Sequence, residues 1–136
     1  MYTGAILARS GYRINNANPR ASLSPSAVQG KVHDAVFQKY QRAEAAMNNS
    51  FEQLPLYAVA VLASIFAERV TIGGATGLDS TGLTTFVGAF LAVRIAYTVA
   101  YISTADYKKS FIRSVLWAVG GGLSIWQIYK AALLLG

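Results

Sequence analysis

Three groups of residues in this 136-residue chain have the types and spacing for chemistry. The first lies in Arg42–Pro55, RAEAAMNNSFEQLP, where Arg42, Asn49 and Glu52 share one helix face with Ala45 between them. The chain is almost wholly apolar from Leu54 to Ala67, so Glu52 stands near the level where water gives way to hydrocarbon. Ionisable groups at such a level are costly and usually face a bundle interior or a water-filled cavity. The second group is Arg94, Tyr97 and Tyr101, whose spacings of three and four place them on one face of an otherwise uncharged segment. Arg94 is about 13 Å of helix rise from Ser103, too deep to snorkel easily, so it should meet an acid, and Glu52 is the acid within a plausible span. The pair would either fasten two helices or line a polar pocket for a charged small molecule, or both. The third group, Lys108, Lys109, Arg113 and Ser114, precedes the last apolar block. Such clusters commonly set topology. Arg113, fixed at the helix entrance by Leu116 and Trp117, could also hold an anion or favour a thiolate.

Other chemistries are poorly served. With no cysteine and a single histidine, disulfides, thiolate metal sites and a cysteine nucleophile are excluded, and an ordinary zinc or iron site is improbable. His33 has no companion for nucleophilic catalysis. Tyr101, near the end of its segment, also suits an interfacial aromatic belt, whereas Tyr97 lies a turn deeper. The glycines at 73, 74, 77 and 82 follow no strand and carry no phosphate-binding spacing.

The elements that must position these groups are membrane helices. Hydrophobic residues make up 54% of the chain and charged ones 13%, an unusual balance for a soluble protein. Crossing the ~30 Å hydrocarbon layer takes roughly 20 helical residues. Spans are predicted at 49–72, 83–102 and 114–135, within a single membrane domain. Residues 1–8 read as the tail of a first helix, and 9–42 as a cytosolic loop and surface helix. Within that segment, residues 10–30 are expected to be extended. Ser24-Pro25 should open a helix running through Val28, Val32, Val36 and Tyr40. Pro55 should disturb the first span around Phe51. Gly120, Gly121 and Gly122 suit close helix packing.

The net charge of +6 is distributed against nucleic-acid binding. Arg9, Arg13, Arg20, Lys31, Lys39 and Arg42 lie in one segment, and Lys108, Lys109 and Arg113 in the 103–114 linker. The 68–82 linker holds Arg69 against Glu68 and Asp79. The positive-inside rule then puts 9–42 and 103–114 in the cytosol and 68–82 on the other side.

With these residues in view, the chain resembles the MAPEG family, the membrane-associated proteins in eicosanoid and glutathione metabolism, which includes microsomal glutathione transferases. Arg42, Asn49, Glu52 and Pro55 match the spacing of its first-span motif. Ala45 stands where that motif has a second arginine, and Met47 where histidine or glutamine is common. Arg94, Tyr97 and Tyr101 match its arginine and tyrosine pattern, Arg113 with Ser114 its basic entry to the last helix, and Asn18-Pro19-Arg20 its cytosolic loop. The resemblance implies an all-α integral membrane protein, a left-handed bundle of the four-helix type with about three full spans here. It also implies a homotrimer among membrane lipids, in the endoplasmic reticulum if the source is eukaryotic. Glutathione would be held by Arg42, Asn49, Glu52, Arg94 and Tyr97, and its thiol ionised near Arg113 or Tyr101. The activity implied is a glutathione-dependent transferase or isomerase acting on a lipophilic electrophile. A non-catalytic binding or scaffold protein of the same fold, or a pathway-specific isomerase or cyclase without glutathione, are the alternatives.

Overall fold

The computed structural model describes residues 2–71, 79–103 and 110–136. Lys108 and Lys109, and the glycines at 73, 74 and 77, lie outside them. The described residues form six helices and no strand: α1 (Tyr2–Arg9), α2 (Pro19–Ser22), α3 (Pro25–Val28), α4 (Asp34–Thr71), α5 (Leu83–Ser103) and α6 (Ser110–Leu135). Three of these, α4, α5 and α6, are long and apolar enough to cross a membrane. The protein is an all-α membrane bundle. Its outer surface is correspondingly greasy, with Phe51, Leu62, Phe66, Leu91, Val99, Ile125 and Leu133 all exposed. Helices satisfy their own backbone groups, which hydrocarbon cannot do for them. Side-chain hydroxyls follow the same economy of partners: Ser50, Ser64, Thr98 and Ser124 each donate to the carbonyl one turn earlier.

The segment ahead of the bundle is packed rather than extended, contrary to the expectation for residues 10–30. Asn18 and Ser24 cap α2 and α3, each followed by proline at the first helical position. Leu7 of α1, Val28 of α3 and Tyr40 of α4 are fully buried together, with Ile6, Tyr12, Leu23, Val32 and Phe37 against them. Tyr12 Oη donates to Ser22 O at 2.8 Å, and Tyr40 Oη to Leu23 O. Two aromatic hydroxyls thus close the carbonyl end of α2. The helix predicted from Pro25 through Tyr40 is broken for an identifiable reason. Gly30 takes a left-handed φ of 75°, and a new helix starts where His33 O accepts from Val36 N and Phe37 N while His33 Nδ1 accepts from Ala35 N. Asp34 then places a negative charge in the first turn, where the helix dipole favours it.

From Asp34 the helix runs 38 residues without a break, straight through Pro55. The expected disturbance at Phe51 is therefore not an interruption of the helix. About 57 Å of rise exceeds the hydrocarbon thickness, and the charges Asp34, Lys39, Arg42 and Glu44 mark the protruding part. The three long helices run alternately up, down and up, with α5 antiparallel to α4 and α6. At one end Arg42 Nε of α4 reaches Ile102 O of α5 at 3.4 Å. At the other, Thr71 Oγ1 of α4 donates to Leu134 O of α6 at 3.1 Å, and Glu68 Oε1 accepts from both Thr81 N (3.0 Å) and Thr81 Oγ1 (2.6 Å). Between the ends, Tyr57, Phe86 and Phe90 stack at centroid distances of 4.5 to 5.9 Å around Ala60. Two buried amides tie the layers: Gln53 to α6, and Gln127 to Ser64 Oγ and Thr81 O.

Candidate functional site

At the end of the bundle that carries Arg42, one cavity of about 350 Å³ is lined by Asn49 and Glu52 of α4, Tyr97 and Tyr101 of α5, and Arg113, Ser114 and Trp117 of α6. Five of the seven residues singled out by spacing therefore converge: Asn49, Glu52, Tyr97, Tyr101 and Arg113. Each helix contributes at its own turn spacing, which is why the face pattern was readable in one dimension. Glu52, Ser114 and Trp117 are exposed, so the cavity opens along the α4–α6 side.

The polar contacts inside it have a direction. Asn49 Nδ2 donates to Tyr97 Oη at 2.6 Å, which leaves the Tyr97 proton free to be donated elsewhere. Tyr97 is buried at 1% exposure, so its phenol is held rather than sampled. Tyr97 and Tyr101 rings meet at 5.5 Å, tilted by 55°. The Arg113 guanidinium lies over the Tyr101 ring, 4.4 Å from its centroid, so a cation and a phenol are presented side by side. Glu52 adds a carboxylate to the same lining. One cation, one carboxylate, two phenols and an amide can together bind a zwitterion or an anion by charge and hydrogen bonds.

The remaining two residues sit elsewhere. Arg42 turns to Ile102 O and fastens the α4–α5 end. Arg94 does not meet Glu52. It donates through Nη1 to Gln53 Oε1 at 3.1 Å and through Nη2 to Ser50 Oγ at 2.6 Å, and its guanidinium lies 4.4 Å over the Tyr97 ring. The reason is rotational: Gln53, one residue beyond Glu52, is buried at 4% exposure against α5 and α6, whereas Glu52 is turned out to the cavity mouth. Arg94 thus lies against the Tyr97 ring, outside the cavity lining.

Gln53 is the residue that spacing of charged groups missed. Its Nε2 donates to Trp117 O at 2.7 Å while its Oε1 receives Arg94, so it joins all three long helices directly behind the cavity. The sequence did hold a signal for it in Gly120. A Cβ there would fall 2.7 Å from Gln53 Oε1, so any other residue would push the amide out of this position. Gly121 and Gly122 make no such demand, with 3.9 Å to Gln53 Nε2 and open space respectively.

No curated protein and no solved structure matches the chain. A family model described as the MAPEG family matches residues 1–133, nearly the whole sequence, and covers α1, the packed loop and all three long helices that carry the cavity. The chain belongs to the MAPEG family, a family of membrane helical bundles related broadly to glutathione-dependent transfer and isomerisation.

Proposed function

We propose that the protein is a glutathione-dependent transferase or isomerase that acts on a lipophilic electrophile supplied through the bilayer. The observation that carries this reading is the convergence of Asn49, Glu52, Tyr97, Tyr101 and Arg113 on one cavity of about 350 Å³, within the roughly 300–1,000 Å³ of small-ligand sites. The donor set suits a tripeptide that has carboxylates, one ammonium and a thiol. Glu52 would accept from the ammonium, while Asn49 and Tyr97 supply hydrogen bonds to the peptide. Arg94 contributes from behind by fixing Tyr97 and Gln53. Bound glutathione supplies a thiolate nucleophile. Arg113 favours that anion by its charge, and the Tyr101 hydroxyl, held beside it, can donate to sulfur. The exposed apolar residues around Trp117 on α6, Ile112 and Val115 among them, would give the electrophile a way in from lipid. The open α4–α6 side suits closure by a neighbouring subunit, as in a homotrimer. The end bearing the basic segments would then face the cytosol, and a eukaryotic source would place the protein in the endoplasmic reticulum.

The test is equilibrium binding of glutathione to the purified protein in detergent, paired with turnover of an electrophile. Saturable binding at millimolar concentration is expected, with both binding and turnover lost in Arg113→Ala while helicity and assembly persist. Absence of binding to the unaltered protein refutes the reading. Loss of assembly with no turnover in any background would instead mark a scaffold.

A second reading has its own observation. Arg113 is the one cation among the described residues that line the cavity, and Ala45 offers none, whereas glutathione brings two carboxylates. An isomerase or cyclase of a lipophilic, singly charged substrate would need no more. Turnover undiminished without glutathione would select it.

A further inference from the structure

A second cavity, sharing no lining residue with the first, lies where α1, the start of α4 and the end of α5 meet. Its volume is about 620 Å³, and its described lining is Ala5, Ile6, Arg9 and Ser10 from α1 and the turn after it, Ala35, Val36 and Lys39 from α4, and Ile102 from α5. The walls are fixed. Leu7 is locked into the core with Val28 and Tyr40, which seats α1 on α4, and the Arg42 Nε bond to Ile102 O holds the end of α5 against the same helix. These contacts hold both sides of the groove in place.

Its chemistry is divided. Ala5, Ile6, Ala35, Val36 and Ile102 give an apolar surface, while Arg9 and Lys39 are exposed cations, with no acid in the described lining. Asp34, next to Ala35, does not line it. Ser10 Oγ directs its proton to Leu7 O at 2.7 Å, so the two cations are the donors that remain. The level in the membrane is set by Ile102, one residue from the end of the apolar helix α5. This is the depth at which headgroups sit above acyl chains. A small soluble anion would gain nothing from the apolar walls, and an uncharged lipid would gain nothing from the paired cations. Only an amphiphile with an anionic head uses both.

We propose that this groove holds one anionic phospholipid of the surrounding membrane, its phosphate between Arg9 and Lys39 and its upper acyl segment along Ile6, Val36 and Ile102. The bound lipid bridges α1 to the α4–α5 pair at the basic end of the bundle. Basic residues near a membrane surface attract anionic lipids, and here two are placed over an apolar slot that orients the chain beneath them.

The experiment is native mass spectrometry of the purified full chain in detergent with phosphatidylglycerol or phosphatidylcholine of identical acyl chains. Phosphatidylglycerol should be retained preferentially as a single tight adduct. A cation near the surface contributes about fivefold, so Arg9→Gln with Lys39→Gln together should lower the preference roughly 25-fold. Both side chains are exposed, and the variant should keep its melting temperature. The control Arg13→Gln with Lys31→Gln removes the same net charge from exposed positions outside the groove and should leave the preference intact. Equal retention of the two lipids overturns the proposal. So does a control variant that loses the preference as fully as the groove variant, because attraction would then be diffuse. In a third variant, Val36→Trp fills the apolar slot with both cations in place. It should release the lipid, and undiminished retention would refute the acyl part of the site.

Discussion

Gly120→Ala tests the junction behind the candidate site most sharply. The added Cβ would stand 2.7 Å from Gln53 Oε1, well inside the distance at which something must move. The amide cannot simply swing away, because its Nε2 is engaged with Trp117 O at 2.7 Å and its Oε1 with Arg94 Nη1 at 3.1 Å. Moving the oxygen sacrifices a hydrogen bond from a charged donor, about 1.5–3 kcal/mol, and keeping it in place overpacks the interface by about 1–3 kcal/mol. Alanine returns up to about 1 kcal/mol of helix propensity. The net expectation is a loss of roughly 1–2 kcal/mol. Gly121→Ala, at 3.9 Å, should be close to neutral, and Gly122→Ala, with open space, neutral or slightly stabilising. Reversible denaturation in detergent micelles would read all three. Gly120→Ala and Gln53→Ala should be non-additive, with a coupling of about 1–2 kcal/mol, since the clash disappears once the amide is gone. Equal stability of the variants at 120 and 122 would refute the geometry, and with it the role given to Gln53.

Three further outcomes follow from the same contacts. Arg94→Met should destabilise by about 2–4 kcal/mol in the same denaturation assay, because it strands Gln53 Oε1 in an apolar interior and removes the cation over Tyr97. Gln127→Leu, although equally buried, should stay within about 1 kcal/mol of the parent, because its neighbours keep other partners. Ser64 Oγ still donates to Ala60 O, Thr81 O still accepts from Lys130, and the unpartnered Gln127 Oε1 is removed. Tyr101→Phe keeps the ring on which Arg113 rests and deletes only the hydroxyl, so melting should be unchanged while kcat for the thiol-dependent reaction falls about tenfold or more with KM little altered. An unchanged kcat would remove Tyr101 from the proposed chemistry.

The helical architecture and most of the cavity were readable from residue spacing because both depend on periodicity. Spans predicted at 83–102 and 114–135 correspond to Leu83–Ser103 and Ser110–Leu135. The first predicted span, 49–72, is the inner part of a helix that begins at Asp34. Hydropathy marks where apolar residues start, and a polar stretch can continue the same helix into water without any change of backbone. The Pro25–Tyr40 helix failed for a complementary reason. Its apolar spacing was genuine, and Val28 and Tyr40 do share one core, but the chain reaches that core through a glycine turn and a fresh helix start. Equal spacing along the sequence and joint burial in space are different properties, and only a three-dimensional closure distinguishes them.

The partner of Arg94 depended on something sequence periodicity does not contain, the rotation of α4 about its axis. Glu52 and Gln53 are adjacent, so they point about 100° apart on the helix. One of them had to face α5. A buried glutamate there would have paired with Arg94 as an ion pair, which in an apolar interior need add little because both charges lose their water. A neutral amide does what the carboxylate cannot: it accepts from Arg94 through oxygen and donates to Trp117 O through nitrogen, binding three helices with one side chain. Turning Gln53 inward also turns Glu52 outward, into the lining of the cavity with Arg113. The same rotation therefore assigns the amide to the fold and leaves the carboxylate on the cavity lining, where the proposed ligand would meet it. Exchanging the two, as Glu52→Gln with Gln53→Glu, keeps composition and charge fixed and should cost both stability and glutathione binding. Retention of both would show that neither orientation matters.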